Sequence, residues 1–202
     1  MALFPTEAIT DLQWIKGVPF PAGMNFRQLL LTGPPGSGKS SLIRQLGGWP
    51  QEGWVDLAQP GWWKMESLSL RPREVHLGFP WRGVARSLTV FDPDWLDAPN
   101  PLEPDWERIQ LPPPKHHFFS PDWSRRYVFE FLLQSPTRLF ELRRIRAAVG
   151  SHPLDRALTF EQVERQADLY REAALHLHRR GINLYIRDDF AGVPKRIVSV
   201  RE

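Results

Sequence analysis

The sequence predicts an α/β fold in which a mainly parallel, five-stranded sheet is covered by helices on both faces. Three observations carry this. A short apolar run, Gln28 to Thr32, passes through a Gly-rich turn straight into a helix-forming stretch. Two more apolar runs, Tyr127 to Leu133 and Ile182 to Ile186, enclose a pair of helical segments. Strands alternating with helices in this way favour a parallel sheet, and such sheets bind ligands beyond the carboxyl ends of their strands.

In chain order, residues 1 to 27 read as an irregular or short β lead-in broken by Gly17, Pro19, Pro21 and Gly23. Gln28 to Thr32 is a buried strand. Lys39 to Leu46 is a short helix stopped by Gly47-Gly48. Gly53 to Leu57, Glu74 to Phe79 and Ser87 to Asp92 are further strand-like runs. Residues 92 to 123 are rich in proline and carry Trp95, Trp106 and Trp123, the composition of a stiff, irregular insertion.

The last third is more regular. Tyr127 to Leu133 is a strand, followed by a helix from Thr137 to Val149 with Leu139, Leu142, Ile145 and Val149 at helical spacing. Gly150 to Leu158 is a polar loop. Thr159, three residues before Gln162, forms a capping box that opens a long helix. Phe160, Val163, Ala167, Tyr170, Ala174 and Leu177 make its apolar stripe. Arg179, Arg180 and Gly181 close it with a basic last turn and a C-terminal glycine. Ile182 to Ile186 is the last buried strand.

Composition narrows the function classes. The 202 residues are 42% hydrophobic and 24% charged, as in a water-soluble globular chain. A formal charge of +3 is too small to argue for nucleic acid. The absence of cysteine excludes disulfides, thiolate metal sites and cysteine catalysis. The N-terminal stretch lacks a basic segment and a long apolar core, and no apolar run approaches about 18 residues. A cytoplasmic protein with no membrane partner is the expectation.

The Gly-rich turn carries the chemistry. Gly33-Pro34-Pro35-Gly36-Ser37-Gly38-Lys39-Ser40 satisfies every fixed position of the phosphate-loop motif G-x-x-x-x-G-K-[ST], with a strand before it and a helix after. Glycines let backbone N–H groups turn inward around an anion, and the following helix adds its positive end. Lys39 is expected to reach the β- and γ-phosphates and Ser40 to ligate Mg²⁺. The phosphate-binding set is Gly33, Gly36, Ser37, Gly38, Lys39, Ser40 and Ser41.

With this loop, and with the segment YVFEFLLQSPTRLFELRRIRAAVGSHPLDRALTFEQVERQ, the chain resembles the P-loop kinases, the nucleoside-monophosphate-kinase-like proteins. The resemblance implies a three-layer P-loop fold in one domain over residues 1–202, with an Arg-bearing lid at about 143–158 and an insertion at about 92–123. It implies transfer of the γ-phosphoryl group of ATP-Mg to a small-molecule or nucleotide-like acceptor. Arg143, Arg144, Arg146 and Arg156 stand where lid arginines would stand. Of these, Arg143, Arg146 and Arg156 are taken, with Lys39, as catalytic candidates. A phosphoryl group in transfer spreads charge over three equatorial oxygens, and guanidinium groups over it stabilise that charge. A solvated arginine face accounts for any one of them equally well.

By the same resemblance Asp56, after a strand-like run, is the candidate base or hydroxyl orienter. Asp92 is the candidate acid behind the Mg²⁺, with Ser40 as direct ligand. Both acids also suit ordinary turns, Pro93 follows Asp92 at once, and Glu74 or Asp94 could replace it. Trp54, Trp62, Trp63 and Trp81, interleaved with Arg71, Arg73 and Arg82, could stack on an acceptor or fill a core. Gly192 and Val193 could border a base or form a turn. Neither His116-His117 nor His176 and His178 shares a face, so no structural metal is expected. Two other functions compete: a nucleotide-dependent regulatory ATPase acting on a protein partner, and a nucleic-acid end kinase. The chain lacks N-K-x-D and L-S-G-G-Q, which disfavours a switch GTPase and a transporter ATPase.

Overall fold

In a computed structural model, the described residues are 4–23, 28–46, 55–56, 86–89, 113, 115, 119–121, 127–189 and 191–198. Nine strands, three α-helices and a 3₁₀ turn are formed among them. The order is β1 (Thr6–Ala8), β2 (Leu12–Ile15), β3 (Val18–Pro21), β4 (Gln28–Thr32), α1 (Lys39–Gln45), β5 (Val55–Asp56) and β6 (Arg86–Thr89). Then come β7 (Tyr127–Leu132), α2 (Pro136–Ala148), the 3₁₀ turn Pro153–Arg156, α3 (Phe160–Arg179), β8 (Leu184–Arg187) and β9 (Lys195–Ile197).

The main sheet is mixed and has seven strands, in the order β1-β9-β8-β7-β4-β6-β5. This corrects the expectation of a mainly parallel sheet of five strands. Strands β8, β7, β4, β6 and β5 run parallel to one another, while β9 pairs antiparallel with both β8 and β1 at one edge. The lead-in causes the difference. Of its two readings the short β form holds: β1 pairs with β9 near the other end of the chain, Thr6 opposite Ile197. β2 and β3 form a separate antiparallel hairpin, turned by Lys16 and Gly17, both at positive φ. Short β-pairings between distant segments leave little local periodicity to read.

Strand alternation sorts the sheet into two faces. On one face Leu29 and Leu31 of β4, Val128 and Leu132 of β7 and Tyr185 of β8 pack with Leu42, Ile43 and Leu46 from α1 and beyond. Ile9, Ile15, Val18 and Phe20 from the N-terminal strands complete that core. A buried ion pair lies in it. Arg187 and Glu130, both fully buried, meet at 2.5 Å (Nε to Oε1). Tyr185 donates to Glu130 Oε2 at 2.7 Å. Arg187 Nη1 donates to Pro19 O at 2.8 Å and to Gly192 O, and its guanidinium lies 5.0 Å from the centre of the Phe20 ring. One side chain thereby ties the hairpin, the sheet and the turn after β8 together, with the polar satisfaction a buried charge requires. Burial and the Glu130 carboxylate push the Tyr185 hydroxyl well above its ordinary range.

Phe129 and Phe131 of β7 and Leu184 and Ile186 of β8 point to the opposite side, where α3 lies against β8. Leu139 of α2, Leu158, and Val163 and Ala167 of α3 form a second core there. α3 starts with the expected capping box, Thr159 and Gln162 bonding reciprocally at 2.8 and 3.2 Å. Gly181, at φ +80°, follows its end. α2 starts with Ser135 as N-cap and Pro136 in the first turn.

The face of α2 differs from the expected stripe. Ile145 and Val149 are exposed, at 57% and 73%. The buried positions are Leu139, Arg143 and Ala147, four apart. The inward face of α2 is partly polar because it meets the glycine loop.

Gly192 lies in a turn, its N–H bonded to Asp189 O at 2.9 Å, and Val193 is exposed. The expected strand at Glu74–Phe79, Glu74, Asp94, the Trp and Arg cluster, His116-His117 and nearly all of the insertion at 92–123 lie outside the described residues. No helix among the described residues is long and apolar enough to cross a membrane.

Candidate functional site

The chain leaves β4 at Thr32 in the middle of the five parallel strands, flanked by β7 and β6. β5 and β6 then extend the sheet on one side and β7 and β8 on the other. The strand order therefore reverses at β4, and its carboxyl end is the topological switch point at which such sheets bind ligands. Residues Gly33 to Gly38 occupy that position.

Two glycines there have no substitute. Gly33 is at φ +149°, and a Cβ on it would lie 2.4 Å from Leu132 O at the end of β7. The loop passes so close to the neighbouring strand that only a hydrogen fits. Gly36 is at φ +88°, and a Cβ there would lie 3.0 Å from Cγ of Arg143 and 4.0 Å from Cζ of Arg146. The backbone at Gly36 is thus the surface on which two arginine side chains rest.

Lys39, the first residue of α1, is 5% exposed. Its Nζ donates to Gly33 O at 2.6 Å and Pro34 O at 3.1 Å, inside the curl of the loop. Burial, reinforced by the positive charges of Arg146 and Arg143, pulls its pKa from the ordinary 10.5 down to about 7.

Arg143 is 2% exposed and Arg146 28%. One acid serves both. Asp155 Oδ1 accepts from Arg143 Nε at 3.0 Å, and Oδ2 accepts from Nε and Nη2 of Arg146 at 3.1 and 2.5 Å. Arg143 Nη1 also donates to Gln166 Oε1 at 2.6 Å. Burial pulls the Arg143 guanidinium below its ordinary value while Asp155 opposes that pull. The same positive field reaches His152: burial first, then Arg146, lower its pKa.

Gln134, just past β7, braces the loop from below, its Nε2 donating to Ser37 O at 3.2 Å. Arg171 of α3 in turn donates to Gln134 O at 3.4 Å. Among the described residues three buried polar atoms lack a partner: Ser37 Oγ, Gln134 Oε1 and Gln166 Nε2. Each belongs to this cluster, and an unsatisfied buried polar atom calls for a specific explanation.

Of the residues singled out in the sequence, the structure brings together Gly33, Gly36, Ser37, Gly38 and Lys39 in the loop. Ser40 and Ser41 stand in the first turn of α1, and Arg143 and Arg146 lie against Gly36. Arg156 goes elsewhere. Its Nε and Nη2 donate to Ala147 O, both at 3.3 Å, so it braces the C-terminal end of α2, where unpaired carbonyls attract a cation. Arg144 is exposed and lies 5.8 Å over the Phe140 ring. Asp56 ends β5 at the carboxyl edge, opposite Thr89 of β6. Asp92 lies outside the described residues. Among the described residues no group of three or more His, Asp or Glu is placed to hold a metal ion.

Three members of the cluster were missed in the sequence: Asp155, Gln134 and Gln166. Gln166 left a signal. It sits three residues after Val163 and four before Tyr170, a polar residue on an apolar helix face. Asp155 left none, because nothing local distinguishes it from a loop acid.

The site thus concentrates three cations and one acid around a glycine-rich curl of backbone. Such an arrangement favours a multiply charged anion. The residues fit a polyphosphate: the glycines at 33 and 36 keep the backbone bare, and Lys39, Arg143 and Arg146 supply the positive charge. No family model matches this sequence, and no curated protein does.

Proposed function

We propose that the chain is a P-loop phosphotransferase that binds ATP-Mg in the Gly33–Ser40 loop and moves the γ-phosphoryl group to a small acceptor. A single observation carries the reading. Lys39, Arg143 and Arg146 converge on a loop that matches the phosphate-loop motif, at the point where the strand order of the sheet reverses. The parallel run of β8, β7, β4, β6 and β5, with the loop leaving the central strand, supports this reading.

On this reading the loop N–H groups and the Lys39 ammonium hold the phosphate tail. A phosphate brought to Lys39 favours its protonated form, which burial otherwise disfavours. Ser40 would ligate the Mg²⁺ that accompanies ATP, as the motif implies, with Asp92 as the acid behind it. Arg143 and Arg146 reach the loop from α2 and stabilise charge on the phosphate oxygens, as guanidinium groups do in phosphoryl transfer. Asp56, at the same edge of the sheet, accepts the proton of the acceptor hydroxyl or orients it. ATP supplies the transferable phosphoryl group; the remaining contribution of the protein is position and electrostatics.

The experiment is calorimetric titration with MgATP, followed by ADP release with and without a pool of small metabolites. Tight MgATP binding that Lys39→Ala removes, together with acceptor-dependent ADP release, is the expected result. A chain that binds no MgATP, or binds it as well after Lys39→Ala, refutes the proposal. Binding with only slow, acceptor-independent hydrolysis refutes the phosphotransfer step.

A further inference from the structure

We propose that Asp155 is a positioning residue of the phosphate site: its single carboxylate holds Arg143 and Arg146 as a preset pair against Gly36. The inference rests on the phosphate reading of that site. Both carboxylate oxygens are committed. Oδ1 takes Nε of Arg143 at 3.0 Å, and Oδ2 takes the Nε and Nη2 edge of Arg146 at 3.1 and 2.5 Å. Asp155 is itself 4% exposed, so these bonds face little competition from water.

The pair would not stay together unaided. Two guanidinium groups beside a buried ammonium repel one another, and each lowers the pKa of Lys39. Arg143 has a second restraint in Gln166 Oε1 at 2.6 Å. Arg146 has no other side-chain partner among the described residues and is 28% exposed. Without Asp155 its long side chain is free to leave the loop for solvent. Held by it, the rotamer is chosen before any ligand arrives, and binding no longer bears that ordering cost.

The bonds to Asp155 also leave donors over. Nη1 of Arg146 and Nη2 of Arg143 have no protein partner among the described residues. Cγ of Arg143 and Cζ of Arg146 lie 3.0 and 4.0 Å from where a Gly36 Cβ would stand. The acid therefore engages the Nε side of each guanidinium, and one Nη nitrogen of each is left unbonded beside the loop. Because Asp155 belongs to the 3₁₀ turn Pro153–Arg156, that turn becomes part of the site through the two arginines it holds.

The test is a double-mutant cycle on MgATP affinity in the full chain at fixed salt. Arg146→Ala should weaken MgATP binding on the order of 10- to 100-fold in the wild type, the worth of a charge-assisted hydrogen bond. In an Asp155→Asn background the same change should cost less than about threefold, because Arg146 is already astray. Asp155→Asn alone should weaken binding, whereas simple removal of a negative charge would tighten it. Equal cost of Arg146→Ala in both backgrounds overturns the proposal, as does tighter binding by Asp155→Asn or indifference of the wild type to Arg146→Ala.

Asp155→Asn leaves the Arg143 charge buried beside a neutral amide and could unfold the chain. In that event Asp155→Glu keeps the charge and shifts the carboxylate by one methylene, and the cost of Arg146→Ala should again collapse. An undiminished cost there overturns the proposal. If the wild type binds no MgATP, the phosphate reading itself fails and this inference falls with it. Wild-type binding with an undisturbed cycle sinks the role of Asp155 alone.

Discussion

The buried Lys39 ammonium makes stability depend on pH over a range where ordinary proteins change little. Unfolded Lys39 holds its proton up to about 10.5, whereas in the folded chain the proton leaves near 7. Between those values the unfolded state binds more protons than the native state, so stability must rise with pH. Below about pH 7 both states carry the proton and the cost of burying the charge is present in full. Each pH unit is worth about 1.4 kcal/mol, which places an upper limit of roughly 5 kcal/mol on the whole interval. The upper end is cut short. Tyr185 keeps its proton in the folded chain well past 10 while an unfolded tyrosine loses it near that value, and this lowers stability above about pH 10. The clean window is therefore pH 7 to 9.5. Urea unfolding at half-unit steps across it, with Lys39→Met as reference, isolates the effect. The difference between the two proteins should change by about 1 kcal/mol or more per pH unit in favour of the wild type as pH rises. A flat difference would show that Lys39 keeps its proton in the folded chain and would refute the argument. The same linkage predicts that MgATP binding at pH 8.5 takes up about one proton, visible in buffers of different ionisation enthalpy.

Other consequences are more local. Gly33→Ala places a methyl group 2.4 Å from Leu132 O in a backbone conformation that alanine resists, so it should cost at least about 2 kcal/mol in chemical unfolding and abolish MgATP binding. Glu130→Ala strands the fully buried Arg187 charge and should destabilise by about 3–5 kcal/mol, while Glu130→Leu combined with Arg187→Met should recover most of that loss. Thr159→Ala removes one half of the capping box of α3 and should cost about 1 kcal/mol in the same assay. Asp56→Ala should lower acceptor-dependent turnover strongly and leave MgATP affinity within about threefold, since Asp56 ends a strand one removed from β4; full retained activity would remove it from the site.

Some of this was legible because it is local. The glycine loop between β4 and α1 needs only residues in sequence to define its turn, and the motif names them. The capping box at Thr159 and Gln162 spans three residues. The stripe Val163, Ala167, Tyr170, Ala174 and Leu177 repeats with the helix itself, and all five are buried. Phe160, at the start of that stripe, is 39% exposed and meets the Phe140 ring edge-on, 5.8 Å centre to centre.

Other features depended on partners far along the chain. Arg143 is inward and Ile145 outward on α2 because Asp155 and Gln166 are there to neutralise and bond the guanidinium; helix periodicity ranked them the other way. Glu130 and Arg187, 57 residues apart, are each an improbable core residue and together a satisfied pair. Neither the pairing of β1 with β9 nor the anchoring of the hairpin by Arg187 leaves a trace within one segment. By itself the sequence determined where the glycine loop falls, the order of the strands and helices in the regular segments, and the ends of α3, all set by backbone geometry over a few residues. Tertiary structure alone decided which charges are buried and which arginines meet the loop, because burying a charge is tolerable only where a partner from elsewhere in the chain arrives to compensate it.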